Sequence, residues 1–186
     1  MVSNPLLEAS SLAYTTPDGQ ELFNDLTFAL GPGQLLWIAG PNGSGKSTLL
    51  RLLRNELPPT RGLVRCTVDR KSIGLLPQMQ NMEFHLPLQL HDVIHLLTGR
   101  KRSDVLPLGL LKAPDLKKAW NSASGGEKQR TLLSCLLHVS PRLLMLDEPF
   151  NHLDKESQAV ILGALDRYLS DSPSRALVLV SHRAVA

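Results

Sequence analysis

The chain has 186 residues, a formal net charge of +3, and 42 % hydrophobic and 20 % charged residues. These values lie near the globular average, which excludes a disordered or fibrous chain, and the length suggests one domain with room for two lobes. No apolar run approaches the roughly 18 residues needed to span a bilayer, and so mild a charge gives no reason to expect nucleic acid. Met1–Ser10 lacks the basic start and apolar core of a signal peptide. Cys66 and Cys135 are the only two cysteines, forming neither a disulfide framework nor a metal-spaced cluster; that fits a reducing cytosol.

The first segment, Leu6–Tyr14, reads as a strand. Thr16-Pro17-Asp18-Gly19 is a strong turn signal, and Glu21–Leu30 is expected to pair back as a hairpin or meander. Gly31-Pro32-Gly33 breaks the chain. Gln34–Ala39 is a short, nearly continuous apolar run, as in a strand buried on both faces. A Gly-rich loop and a helical pattern over Lys46–Asn55 follow, so strand, loop and helix open a βαβ unit. Pro58-Pro59 ends the helix, and Leu63–Val68 and Ser72–Leu76 read as short strands.

From about Met79 to Ser122 the prolines Pro87, Pro107 and Pro114 punctuate short Leu-rich helical patches. This stretch is expected to be a helical lobe inserted into the core. A helix of good formers runs from Ser124 to about His138, followed by Pro141. Leu143–Leu146 and Ala176–Val180 read as buried strands, with an amphipathic helix, Lys155–Leu169, between them. The alternation predicts an α/β fold: a parallel sheet with helices on both faces, behind an N-terminal antiparallel β segment. The expected organisation is one domain over residues 1–186. Residues 1–78 and 141–186 form the core, and about 79–140 the lobe.

Gly40-Pro41-Asn42-Gly43-Ser44-Gly45-Lys46-Ser47 matches G-x-x-x-x-G-K-[ST] after a strand and before a helix, the context this phosphate loop requires. Glycines let successive N–H groups turn inward onto phosphate oxygens, and the helix N-terminus adds its positive dipole end. Lys46 is expected at the β- and γ-phosphates, Ser47 on Mg²⁺, and Thr48 near the α-phosphate. Asp147 and Glu148 end the strand Leu143–Leu146, at the edge where parallel sheets bind ligands. Asp147 suits Mg²⁺, and Glu148 suits orientation or deprotonation of the attacking water. An isolated Asp-Glu pair would say little; behind a phosphate loop it points to catalysis.

Ser122-Ala123-Ser124-Gly125-Gly126-Glu127-Lys128-Gln129-Arg130 resembles the signature motif of the ATP-binding cassette (ABC) ATPases, with Ala123 where Leu is common. Ser124-Gly125-Gly126 would open a helix whose free N–H groups form a second anion site. The resemblance implies a P-loop NTPase fold and a head-to-tail dimer, in which one subunit's signature closes on the γ-phosphate held by the other. Further positions match residue by residue. Gln78 resembles the glutamine that contacts Mg²⁺ and water, and Asp154, in Asn151-His152-Leu153-Asp154, resembles the acid of the D-loop. His182 resembles the switch histidine, and Tyr14 the aromatic residue that stacks on adenine. The sequence departs from the pattern at Ala123, at Arg183, where Asp is common, and in running only four residues past His182, where family members usually continue with further strand and helix.

The resemblance thus implies an ATP-hydrolysing subunit that energises integral membrane permease subunits. It would sit on the cytoplasmic face of the inner membrane, work as a homodimer or ATPase pair, and use ATP and Mg²⁺. Ile73–Gln78 and Leu86-Pro87-Leu88 look similar to ATPases of bacterial zinc and manganese importers. The alternatives are a haem or other small-substrate exporter ATPase, or a soluble non-transport ABC ATPase. No long heptad run or second cassette favours the soluble alternative. His91 and His95 share one helix face, but without a third ligand they read as a packed or solvated pair.

Overall fold

The structure is a computed structural model that describes residues 4–77, 85–99, 108–151 and 153–182. Strands β1 (Leu7–Thr15) and β2 (Glu21–Leu30) form the expected hairpin. β4 (Arg61–Cys66) joins the other edge of β1, giving an antiparallel sheet in the order β2–β1–β4. The register between β1 and β4 slips between Ser10 and Ala13. Gly62 lies opposite this bulge at φ +80°, where a Cβ would stand 2.3 Å from the Ser11 carbonyl oxygen. Only glycine fits so close an approach.

Strands β3 (Leu35–Ala39), β5 (Ile73–Leu76), β6 (Leu143–Asp147) and β7 (Ala176–Ser181) make a parallel sheet ordered β3–β7–β6–β5. Every residue of β6 and β7 is buried. Alternate side chains go to opposite faces, as the two-residue strand period requires. Leu143, Met145, Ala176 and Val178 face α1 (Lys46–Leu53) and the antiparallel sheet. Leu144, Leu146, Leu177 and Leu179 face the remaining helices. Helices therefore cover both faces, as expected; on one of them α1 shares its place with the antiparallel sheet. β3 differs more. It has one strand neighbour, β7, among the described residues, and Leu35 is 44 % exposed. An edge strand satisfies one row of backbone groups and leaves its flanks open, so the apolar run did not signify burial on both faces.

The helical segment is anchored by a hydrogen-bonded seam. Leu90 N–H donates to the Lys118 carbonyl at 2.9 Å, and Trp120 N–H to the Leu88 carbonyl at 2.7 Å. Helix α2 (Leu90–Thr98) opens with a capping box between Gln89 and Asp92 and ends at Gly99 in the left-handed region. Leu90, Ile94, Leu116 and Trp120 are fully buried here and pack with α3 (Gly125–Val139), α4 (Lys155–Ser170) and one face of the parallel sheet. His91 contacts the Leu116 carbonyl at 3.0 Å, and no metal-holding cluster of acids, His and Cys occurs among the described residues. No described helix is long and apolar enough to cross a membrane.

Candidate functional site

The parallel register decides which loops meet. Ala39 pairs with Ser181, Val180 with Asp147, and Leu146 with Leu76. All four strands therefore end at one edge, where loops of such sheets bind ligands. The loop after β3 is Gly40–Gly45, the residues closing β6 are Asp147 and Glu148, and His182 follows β7. β5 ends at Leu76, two positions before Gln78, which lies outside the described residues.

Gly43 at φ +82° and Gly45 at φ +86° give the loop its left-handed turns, and Gly45 caps α1. A Cβ on Gly45 would press on Leu22 of β2 at 3.0 Å, so the antiparallel sheet backs the phosphate loop. Lys46 Nζ donates to the carbonyls of Gly40 at 2.8 Å and Pro41 at 2.9 Å, clasping the loop to its own helix. Asn42, Gly43, Lys46, Ser47, Thr48 and Glu148 line an open polar groove of about 410 Å³. Ser44 lies under Gly40, where its Oγ would stand 2.8 Å from a Cβ.

Glu148 is buried and sits in the left-handed region at φ 52°. A non-glycine residue there costs about 1–2 kcal/mol, so its surroundings must hold it. Its Oε1 lies 3.4 Å from Lys46 Nζ. Its Oε2 accepts from the His182 backbone N–H at 3.2 Å and meets His182 Nδ1 at 3.1 Å. Its own N–H donates to the Val180 carbonyl at 3.0 Å. Lys46, Glu148 and His182 thus form one connected cluster.

Asp147 is buried beside it, with the Ser47 hydroxyl close enough to favour its charged form. Burial pushes the Asp147 carboxyl above its ordinary range, and the Glu148 charge adds to this, against the opposing effects of Ser47 and Lys46. Asp147 Oδ1 is a buried oxygen with no hydrogen-bond partner. Such an orphan acceptor costs about 1–3 kcal/mol. One buried carboxylate oxygen next to a serine hydroxyl is a donor set suited to a hard divalent cation.

The signature residues open α3 as expected. Ser124 is the N-cap and accepts from the Glu127 N–H at 3.3 Å, while Glu127 Oε2 accepts from the Ser124 N–H at 2.9 Å. Lys118 also pairs with Glu127. Burial works to raise the Glu127 carboxyl, but these bonds to Lys118 and Ser124 leave it below its ordinary range. Ser124 and Gly125 themselves are exposed. Gly126 lies against the D-loop, where a Cβ would stand 2.7 Å from Leu153 Cδ2. Asp154 caps α4 through the Ser157 N–H at 2.7 Å, and that bond lowers its pKa. Tyr14 pairs with Phe23 across β1 and β2, with ring centroids 6.4 Å apart.

Two contacts were not read from the sequence. Gln129 Nε2 donates to the Glu148 carbonyl at 3.3 Å, and Arg130 Nη1 donates to Ser157 Oγ at 2.8 Å. The available signal was the position of Gln129 on the same helical face as Leu132, Leu133 and Leu136, where a polar side chain needs a buried partner.

The fold is that of a P-loop NTPase, and residues 23–151 match the family model described as ABC transporter. The chain belongs to the ABC transporter family, as an ATP-binding and ATP-hydrolysing subunit. Zinc import ATP-binding protein ZnuC of Yersinia pestis bv. Antiqua is 36 % identical over 181 residues, covering 96 % of this chain and 70 % of the relative. ZnuC of Yersinia enterocolitica is 34 % identical over 165 residues, covering 88 % and 65 %. Among solved structures, an ABC transporter assigned to the metal-chelate type, in an inward-facing conformation, superposes with a TM-score of 0.78 at 26 % identity; the match covers 97 % of this chain and 74 % of that one. The cbiO1 structure from Clostridium perfringens shares the fold, with a TM-score of 0.76 at 21 % identity over 97 % of this chain and 80 % of that one.

Proposed function

We propose that this chain hydrolyses ATP at the edge of its parallel sheet, and that two copies closing head to tail drive a membrane permease that imports metal ions. The observation supporting the site assignment is the convergence of Lys46, Glu148 and His182 at one strand edge. Gly40–Thr48 wrap the phosphates, and Lys46 leaves Glu148 to meet the γ-phosphate. Mg²⁺, held by Ser47, Asp147 and Gln78, would neutralise phosphate charge. Glu148 takes a proton from a water that attacks the γ-phosphorus, and His182 orients that water. The bond to the β–γ bridging oxygen breaks, giving ADP and phosphate. Tyr14 stacks on adenine. Ser124, Gly125 and Gly126 of one copy, with Asp154, complete the site of the other. The chain then acts as one ATPase unit, residues 1–186, on the cytoplasmic face of the membrane beside its permease.

The exposed cap at Ser124 is what makes the shared site testable. Glu148→Gln should form an ATP-dependent dimer by light scattering, and Ser124→Arg in that background should stay monomeric while still binding ATP. A Ser124→Arg chain that dimerises with ATP would break the shared-site reading. The metal cargo rests on the zinc-import relatives and the metal-chelate neighbour. Removing the chain from its own cell should lower zinc or manganese uptake several-fold, with recovery on restoring it. Unchanged uptake of both would remove the metal assignment and leave the ATPase reading standing.

A further inference from the structure

We infer that Gln129 is a positioning residue for the general base: the signature helix holds its own subunit's Glu148 in a working conformation. The inference rests on the proposed role of Glu148. Three observations carry it. Gln129 is 6 % exposed, so its amide has no alternative partner in bulk water. Its Nε2 donates to the Glu148 carbonyl at 3.3 Å, and the Asn151 N–H shares that acceptor at 3.3 Å. Glu148 itself occupies φ 52°, a conformation that a side chain with a Cβ adopts only when its neighbours enforce it. Backbone bonds from the next turn and from β7 hold Glu148 within its own layer. Gln129 is the side chain that reaches it from α3.

The consequence is a direct link between two ends of the reaction. Ser124, the exposed cap of α3, stands little more than one helical turn before Gln129. A shift of the signature helix therefore changes the grip on Glu148 without passing through the phosphate loop. Base geometry and signature engagement become coupled within one subunit.

Gln129→Met keeps the length of the side chain and removes the donor. ATP affinity should stay within about twofold, while turnover falls roughly 10- to 100-fold, as expected when a reacting group is misplaced. Amide exchange by mass spectrometry should rise in the segment 147–151 and stay unchanged in the rest of α3. Leu133→Ala is the control for mere loss of packing on α3: it should lower the melting temperature without selectively exposing segment 147–151. In the wild-type chain, the Gln129 side-chain amide protons should exchange slowly by NMR, a readout that needs no variant to fold. Rapid exchange of those protons, or a Gln129→Met chain with wild-type turnover and unchanged exchange at 147–151, overturns the inference. A wild-type chain that does not bind ATP would instead undo the reading of the site itself.

Discussion

Glu148→Gln should reduce ATP turnover by about 10²–10⁴-fold, the range associated with a lost general base, while ATP binding is kept or strengthened. Glutamine preserves the size of the side chain, and its carbonyl oxygen still accepts from the His182 backbone N–H, which bonds Glu148 Oε2 at 3.2 Å. What disappears is the negative charge 3.4 Å from Lys46 Nζ. That carboxylate competes with phosphate for the lysine, so its removal frees Lys46 for the nucleotide. Single-turnover hydrolysis and equilibrium binding of a fluorescent ATP analogue separate the two effects. Normal hydrolysis by Glu148→Gln would remove Glu148 from the base role and pass it to another group at the edge.

Lys46→Ala acts on the other half of the same ion pair and should show the opposite pattern: binding itself fails. A charge-assisted hydrogen bond contributes about 1.5–3 kcal/mol, which corresponds to a loss of roughly 10- to 150-fold in ATP affinity. A second loss compounds it. Lys46 ties the carbonyls of Gly40 and Pro41, so the loop that presents its N–H groups to phosphate loses its clasp. Isothermal calorimetry with ATP and with ADP measures the effect, and ATP should suffer more than ADP because Lys46 is expected to reach the γ-phosphate. Unchanged ATP affinity would contradict the phosphate-loop assignment.

The two variants together test whether the cluster works as a relay. In the structure Lys46 is shared between the loop carbonyls and Glu148, and Glu148 between Lys46 and His182. On the proposed reading, arrival of a γ-phosphate would replace one carboxylate neighbour of Lys46 with another anion and release Glu148 to water and His182. Glu148, as the proposed base, would thus be held by the residues proposed to bind substrate.

Much of this was legible in the chain because the informative patterns are local. The phosphate loop is a run of adjacent residues whose spacing is set by one strand-to-helix turn. The cap of α3 is likewise local: Ser124 and Glu127 are three residues apart, as one helical turn demands, and the structure closes that box. Strands β6 and β7 announced themselves by continuous apolar runs, and they are buried throughout. The helix expected over Lys46–Asn55 ends at Leu53, because Asn55 turns into the left-handed region at φ 55°.

Three features were decided by the tertiary structure alone. An apolar run cannot say how many strand neighbours a strand acquires, and β3 lies at an edge with Leu35 exposed. The strand Arg61–Cys66 pairs antiparallel with β1 rather than extending the parallel sheet, because pairing depends on where the chain returns after α1. Most consequentially, strand order and register put Lys46, Asp147, Glu148 and His182 at one edge. His182 meets Glu148 across 34 residues of sequence, and Trp37 meets Ser181 across 144. The amino-acid sequence by itself determined which residues could bind phosphate, hold a cation and move a proton, since those capacities belong to side chains and short loops. The tertiary structure decided which of them touch, which buried oxygen of Asp147 lacks a partner, and which helix grips Glu148, since those depend on packing between segments that the chain order keeps far apart.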